Sequence, residues 1–201
     1  GGLIVLAADD PSMHSSQNEQ DSRFYAKFAL VPTFEPSNQQ EAYDMVASAF
    51  ELSERLREPV VLRVVTRLAH SRAAVEVGEP WEEKPLDVST ERWVLLPGIA
   101  RKRYDALIAK QPDMEQAAAD SMYNKIEQHA EAPRLGIVAC GIAYNYVKEV
   151  VGEKANLLKV SQYPLPAAAV QALAAANDAI LVVEDGQPVV EEQVKGLLGA
   201  G

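Results

Sequence analysis

Apolar and polar positions alternate along this chain in blocks, and the blocks predict strands and helices in turn. Leu3-Ile4-Val5-Leu6-Ala7 is a short apolar run read as a buried strand. It stops at Asp9-Asp10-Pro11, and a polar stretch follows to Arg23. Arg23 to Phe28 predicts a short helix, and Leu30 to Phe34 a strand ending before Pro36. Ser37 stands three residues before Gln40, the spacing of a helix-starting capping box. Behind it Ala42, Met45, Val46, Ala49, Leu52 and Leu56 share one face of a long amphipathic helix closed by Pro59. Val60 to Thr66 then reads as a β-branched strand.

Between about 73 and 92 the pattern dissolves around Gly78, Pro80 and Pro85, as expected of a surface excursion. Trp93 to Leu96 predicts a short strand, and Ile99 to about His129 a helical stretch broken or kinked at Pro112. From Arg134 a second alternation begins. Leu135–Cys140, Asn156–Val160 and Ala179–Val183 are strand-like. Each is followed by a helical pattern, the last two opening at Pro166 and Pro188. Val190, Val194, Leu197 and Leu198 form an apolar stripe on the final helix. This order predicts an α/β protein with parallel sheets: a first unit over 1–75, a linker and helical connection over 76–133, and a smaller α/β unit over 134–201.

Composition narrows the partners. The 201 residues carry a formal net charge of −10, which disfavours nucleic acid and anionic membranes, since both select basic surfaces. No apolar run approaches a membrane span, and Cys140 is the lone cysteine, too few for a disulfide framework, a zinc site or an iron–sulfur cluster. A reducing, cytoplasmic setting follows most simply. Gly1-Gly2 leads directly into the first strand without a methionine, which reads as a piece of something longer.

In a parallel sheet the loops after the strands collect on one edge, where ligands bind. The first such loop offers Asp10, His14, Ser15, Ser16, Gln17, Asn18, Glu19, Gln20 and Asp21, a donor or acceptor at nearly every position. The loop after the Val60 strand reads Arg67-Leu68-Ala69-His70-Ser71-Arg72. Arginine recognises a carboxylate or phosphate in a planar, two-point geometry, and histidine moves protons near neutral pH. A plain solvated loop explains the same residues in either place. Cys140 at a strand end reads as a small buried filler rather than a nucleophile. Glu184-Asp185 and Glu191-Glu192 suit a turn and a helix N-terminus, where acids are favoured. The basic triplet Arg101-Lys102-Arg103 reads as a solvated helix face. Walker, GxGxxG, GxSxG and HExxH motifs are absent.

AlaAspAspPro with HisSerSerGlnAsnGluGlnAspSerArg at 8–23, GlnGluAlaTyrAspMet at 40–45, and LeuArgValValThrArg with HisSerArg at 62–72 form a specific set. With LeuProGlyIleAlaArgLysArg at 96–103, GlyIleAlaTyrAsnTyrValLysGlu at 141–149 and TyrProLeuPro at 163–166, the chain resembles the large (alpha) subunit of indolepyruvate:ferredoxin oxidoreductase. That resemblance implies a thiamine diphosphate- and magnesium-dependent decarboxylation of aryl 2-oxoacids. Electrons would pass through iron–sulfur clusters to ferredoxin, and the acyl group to coenzyme A. It further implies the later part of a pyrimidine-type thiamine-binding domain at 1–75, a transketolase C-terminal-like domain from 134, and a small (beta) subunit as partner.

By the same resemblance, the glutamate that activates the cofactor lies before Gly1. The diphosphate- and magnesium-binding domain and the cluster cysteines lie after Gly201. The chain alone is therefore expected to be catalytically silent and to hold no cofactor. ValValGluAspGlyGlnPro at 182–188 departs slightly from the family's turn. Within the parent enzyme, His14 and His70 are the candidate catalytic groups, and Arg67, Arg72 and Ser71 the candidate substrate-binding groups. Asp10, Ser15, Ser16, Gln17 and Asn18 are the candidate cofactor-binding groups. The alternative is a non-catalytic α/β assembly module, possible homo-oligomers included, because a partial sheet leaves an unpaired edge.

Overall fold

The computed structural model describes residues 1–80, 85, 94–129 and 134–199. It has an α/β fold with two four-stranded sheets, as the alternation predicts. The first half supplies β1 (Ile4–Asp9), α1 (Arg23–Ala29), β2 (Thr33–Phe34), α2 (Gln39–Leu56), β3 (Val60–Val65) and the short α3 (Thr66–Ala69). The middle supplies α4 (Pro97–Ala109), α5 (Gln111–Ala119) and β4 (Lys125–Glu127). The last part supplies β5 (Leu135–Cys140), α6 (Ala143–Val151), β6 (Asn156–Val160), β7 (Gln162–Tyr163), α7 (Ala167–Ala175), β8 (Ala179–Val183) and α8 (Val189–Leu198).

The first sheet has the order β1-β3-β2-β7 and the second β4-β6-β5-β8. β1, β3 and β2 are parallel, with Ile4 opposite Val60 and Thr33 opposite Val61. β5 is parallel to both β6 and β8. Each sheet closes with an antiparallel strand. β4, from the middle of the chain, pairs with β6, and β7, from the last part, pairs with β2 and so ties the last part of the chain to the first sheet.

Several elements depart from the pattern's expectation. The Leu3–Ala7 run is an edge strand: Leu3 is 55% and Leu6 66% exposed. Only β3 pairs with it, and α2 covers one face of the sheet. The expected strand from Leu30 shrinks to two residues because Leu30 turns left-handed (φ 59°) to end α1. The helix cap shifts by one residue. Asn38 accepts from the Glu41 amide at 2.9 Å, while the Glu41 carboxylate accepts from the Ser37 amide and hydroxyl at 2.9 and 2.8 Å. Val46 is exposed on that helix, whereas Met45, Ala49, Leu52 and Leu56 are buried.

Trp93 lies outside the described residues, and 94–96 have no regular structure. Pro112 sits in the first turn of α5, where its missing N–H is harmless, so it starts a helix rather than kinking one. The chain leaves the helix after Ala119 and returns as β4, not as helix up to His129. Met114, Ala118 and Tyr123 of this connection are buried, with Met114 and Tyr123 packed in the first core against Phe34 and α2.

Asn124 fixes the crossing between the units. Its carbonyl oxygen accepts from the Ser161 and Gln162 amides at 2.8 and 2.9 Å, and its amide donates to the Ala118 and Gln162 carbonyls at 2.9 and 2.8 Å. Asn124→Ala strips partners from several part-buried backbone groups at once. A loss of about 2–4 kcal/mol in urea unfolding is expected; a change below about 0.5 kcal/mol would show that water replaces the side chain.

Candidate functional site

β1 and β3 run parallel with Asp9 opposite Val65, so the two polar loops leave the same edge of the sheet. They meet there. The Thr66 hydroxyl lies 3.2 Å from the Asp9 carbonyl and bonds the Asp10 carboxylate at 2.5 Å. The other Asp10 oxygen accepts from the Ser15 and Ser16 amides, both at 2.6 Å, and from the Ser16 hydroxyl at 2.8 Å. Glu19 holds the Ser12 amide at 2.9 Å, and the Gln20 side chain accepts the Asp10 amide at 3.1 Å. These bonds keep Ser12 and Met13 consecutively in the left-handed region (φ 66° and 54°), which side chains disfavour. The Thr66 hydroxyl first, and then the Ser15 amide, hold the Asp10 carboxyl well below the usual carboxylate range.

The predicted site residues fall into engaged and outward-facing groups. Asp10, Ser15 and Ser16 bind one another. His14, Gln17 and Asn18 are exposed on the same loop; the Asn18 side-chain amide donates to the Glu19 carbonyl at 3.4 Å, and the Asn18 carbonyl accepts from the Ser16 hydroxyl at 3.2 Å. On the second loop Arg67, His70, Ser71 and Arg72 are exposed. Ser71 donates to the Leu68 carbonyl at 2.9 Å and accepts from Gln39 at 2.6 Å. The Arg67 guanidinium lies 5.7 Å from the centre of the Tyr146 ring, which belongs to α6 of the other unit. The direct tie between the loops is Thr66 to Asp10; His14 and His70 make no hydrogen bond to each other.

Behind this rim lies a cluster that the pattern did not single out. Arg63 is fully buried in the middle of β3. Its guanidinium bonds Asp9 at 2.6 Å, Glu35, and the Asp185 carbonyl of the second unit at 2.9 Å. Arg23 reaches Asp21 at 2.5 Å, Glu184 at 2.7 Å and the Gln187 carbonyl at 2.9 Å. Tyr163 donates to Glu35 at 2.7 Å. Burial pushes the Asp21 carboxyl up, but its pairing with Arg23 outweighs this and holds it below its ordinary value. Burial raises the Asp185 carboxyl despite Arg63 nearby. The available signal was a lone arginine inside Val-Val-Leu-Arg-Val-Val.

Lys159 inside Leu-Leu-Lys-Val gives a similar signal. It is buried against Glu41 and Ser37 of the first unit, 4.8 Å from the Tyr144 ring centre. Glu184, expected at a turn, accepts from the Val190 and Glu191 amides at 3.0 Å and so also caps α8. Burial raises the Cys140 thiol, which keeps it protonated and inert. Arg101, Lys102 and Arg103 lie on an exposed face of α4.

No family model matches the chain. Curated proteins do. It is 40% identical over 206 residues to indolepyruvate oxidoreductase subunit IorA of Methanothermobacter thermautotrophicus, a match covering 99% of this chain and 33% of that protein. IorA of Pyrococcus abyssi is 41% identical over 208 residues, covering 97% of this chain and 32% of the relative.

In sequence, this chain is similar to IorA. It spans about a third of the length of the IorA proteins it matches. A solved 2-oxoglutarate:ferredoxin oxidoreductase from Magnetococcus marinus, with 2-oxoglutarate, coenzyme A and succinyl-CoA bound, shares the fold. Its TM-score is 0.65 at 13% identity, covering 99% of this chain and 43% of that one. Among the described residues, no group of three or more His, Cys, Asp or Glu side chains is fit to hold a metal, and no helix is long and apolar enough to cross a membrane.

Two outcomes follow from this geometry. Arg63→Met removes the cation between Asp9 and Glu35 and leaves buried carboxylates uncompensated. A loss of about 3–5 kcal/mol by denaturant unfolding is expected, and a loss under 1 kcal/mol would mean the cluster relaxes into water. Asp10 has a lowered folded pKa, so its stabilisation is present above the unfolded value near 3.8 and lost as pH falls below it. Asp10→Asn should therefore flatten the acid limb of the stability profile. It should also speed hydrogen exchange at the Ser15 and Ser16 amides; unchanged exchange would refute the anchoring role.

Proposed function

We propose that this chain is a segment of a 2-oxoacid oxidoreductase that acts on aryl 2-oxoacids such as indolepyruvate, with ferredoxin as electron acceptor and coenzyme A as acyl acceptor. The observation that carries the reading is the relationship to IorA over nearly the whole chain. Residues 1–75 form the later part of a pyrimidine-type thiamine domain and 134–201 a transketolase C-terminal-like domain, with 76–133 as their connection. The enzyme works in the cytoplasm with a small (beta) subunit.

The rim fits the heteroaromatic end of thiamine diphosphate better than its diphosphate. Gln17 and Asn18 present amides, which suit the donors and acceptors of a ring edge. Asp10, Ser15 and Ser16, already bonded to one another, shape the loop beneath. Among the described residues no cluster of His, Cys, Asp or Glu is fit to hold magnesium or an iron–sulfur cluster, and on this reading those groups and the diphosphate are held by other segments. When bound, thiamine diphosphate supplies the electron sink for breaking the bond to the substrate carboxylate. This chain's share is to bind and orient. Arg67 and Arg72 hold the carboxylate of the 2-oxoacid, Ser71 steadies their loop, and His14 and His70 move protons at the rim.

A second reading, an assembly module without catalysis, has the exposed apolar edge of β1 in its favour. Kinetics of the complete oxidoreductase separate the two. Arg72→Ala should raise KM for indolepyruvate by about tenfold or more, the worth of one charge-assisted contact of roughly 1.5–3 kcal/mol. His14→Ala should lower kcat. If neither constant moves in either variant, the rim is not the active site and the assembly reading takes over.

A further inference from the structure

Tyr146 is the place where the second unit touches the candidate substrate groups of the first. It is 42% exposed on α6, and its ring centre lies 5.7 Å from the Arg67 guanidinium carbon. That separation is within the range of a cation–π contact. The helix that carries it cannot easily shift. One residue before, the Asn145 amide donates to the Ser37 carbonyl of the first unit at 2.6 Å. One residue after, Val147 is buried in the core beneath β5. Tyr144 bonds Glu127, and Lys148 bonds the same carboxylate at 2.5 Å. Tyr146 is thus a fixed aromatic face delivered to a mobile type of side chain.

Arg67 itself stands on a four-residue helix with its side chain in solvent. A long, exposed arginine samples many rotamers, and ordering it on binding weakens the affinity gained. An aromatic ring held 5.7 Å from the guanidinium carbon restrains the side chain and removes part of that loss.

We propose that Tyr146 is a positioning residue, which pre-orders Arg67 for the substrate carboxylate, so that this anion site is completed only by the second α/β unit. The inference rests on the reading that Arg67 binds that carboxylate, and its test keeps the two apart. Steady-state kinetics with indolepyruvate are measured on the complete oxidoreductase carrying Tyr146→Ala, Tyr146→Phe, Arg67→Ala and the Arg67→Ala/Tyr146→Ala pair.

An exposed cation–π contact of about 0.5–1 kcal/mol corresponds to a KM raised about two- to fivefold in Tyr146→Ala, with kcat held. Tyr146→Phe keeps the ring and should behave as the parent. The double variant should be no worse than Arg67→Ala, since Tyr146 then has nothing to position. If Arg67→Ala raises KM and Tyr146→Ala does not, the positioning role fails while the Arg67 reading stands. Equal losses in Tyr146→Phe and Tyr146→Ala, or additive losses in the pair, also overturn it, because they assign Tyr146 a contact of its own. If Arg67→Ala leaves KM unchanged, the reading beneath the inference is itself wrong.

Discussion

A guanidinium with no exposed surface sits in the middle of β3, and the arrangement of both sheets follows from satisfying it. Arg63 needs five donors answered in one plane. Asp9 from β1 and Glu35 after β2 answer on its own sheet, and the Asp185 carbonyl after β8 answers from the other. An ion pair taken out of water is rarely a net gain over well-packed apolar side chains, yet removing one member is severe. The cluster therefore acts more as a registration device than as glue. Arg63 and Arg23 each find partners in both units, so the ends of β1, β2 and β8 are held at one place.

That registration bears directly on the rim. Asp9 is bound to Arg63, and its neighbour Asp10 organises the polar loop through Ser15, Ser16 and Thr66. The Asp9 carboxylate, at the end of β1, faces the junction through Arg63, and that of Asp10, just past the strand, faces the loop through Ser15 and Ser16. A displacement of the second unit would thus reach the loop through two consecutive residues. The same logic holds at Ser37. Its carbonyl takes Asn145 and its hydroxyl takes Lys159, while its amide binds the Glu41 carboxylate at the start of α2.

Much of the architecture was legible in the residues. The strands β3, β5, β6 and β8 fall on the short, largely apolar runs of the sequence, and the meeting of the two polar loops follows from parallel strand order alone. The failures share a cause. An apolar run reports that a strand is fit for burial but not how many neighbours it has, so β1 read as internal although it lies at an edge. β4, with only Lys-Ile-Glu, has no pattern of its own and exists through β6. The burial of Arg63 and Lys159 has no local signature, because their carboxylate partners lie far away in sequence, at Asp9, Glu35 and Glu41.

That the two polar loops share one rim was legible in the residues; which side chains there bind one another was not. Residue type alone cannot distinguish a serine that binds a ligand from one that binds a loop. Geometry separates them here. Asp10, Ser15 and Ser16 have their hydrogen-bonding capacity largely met within the loop. A ligand that recruited them would have to break bonds to a carboxylate, which are worth more than neutral ones. His14, Gln17, Arg67 and Arg72 make no hydrogen bond with their side chains among the described residues, and all are exposed. Under the proposed function, recognition on this rim falls to that second set, with the first set as its foundation. The loop's left-handed turn at Ser12 and Met13 fits that division, because a conformation disfavoured by side chains persists only where surrounding bonds over-determine it.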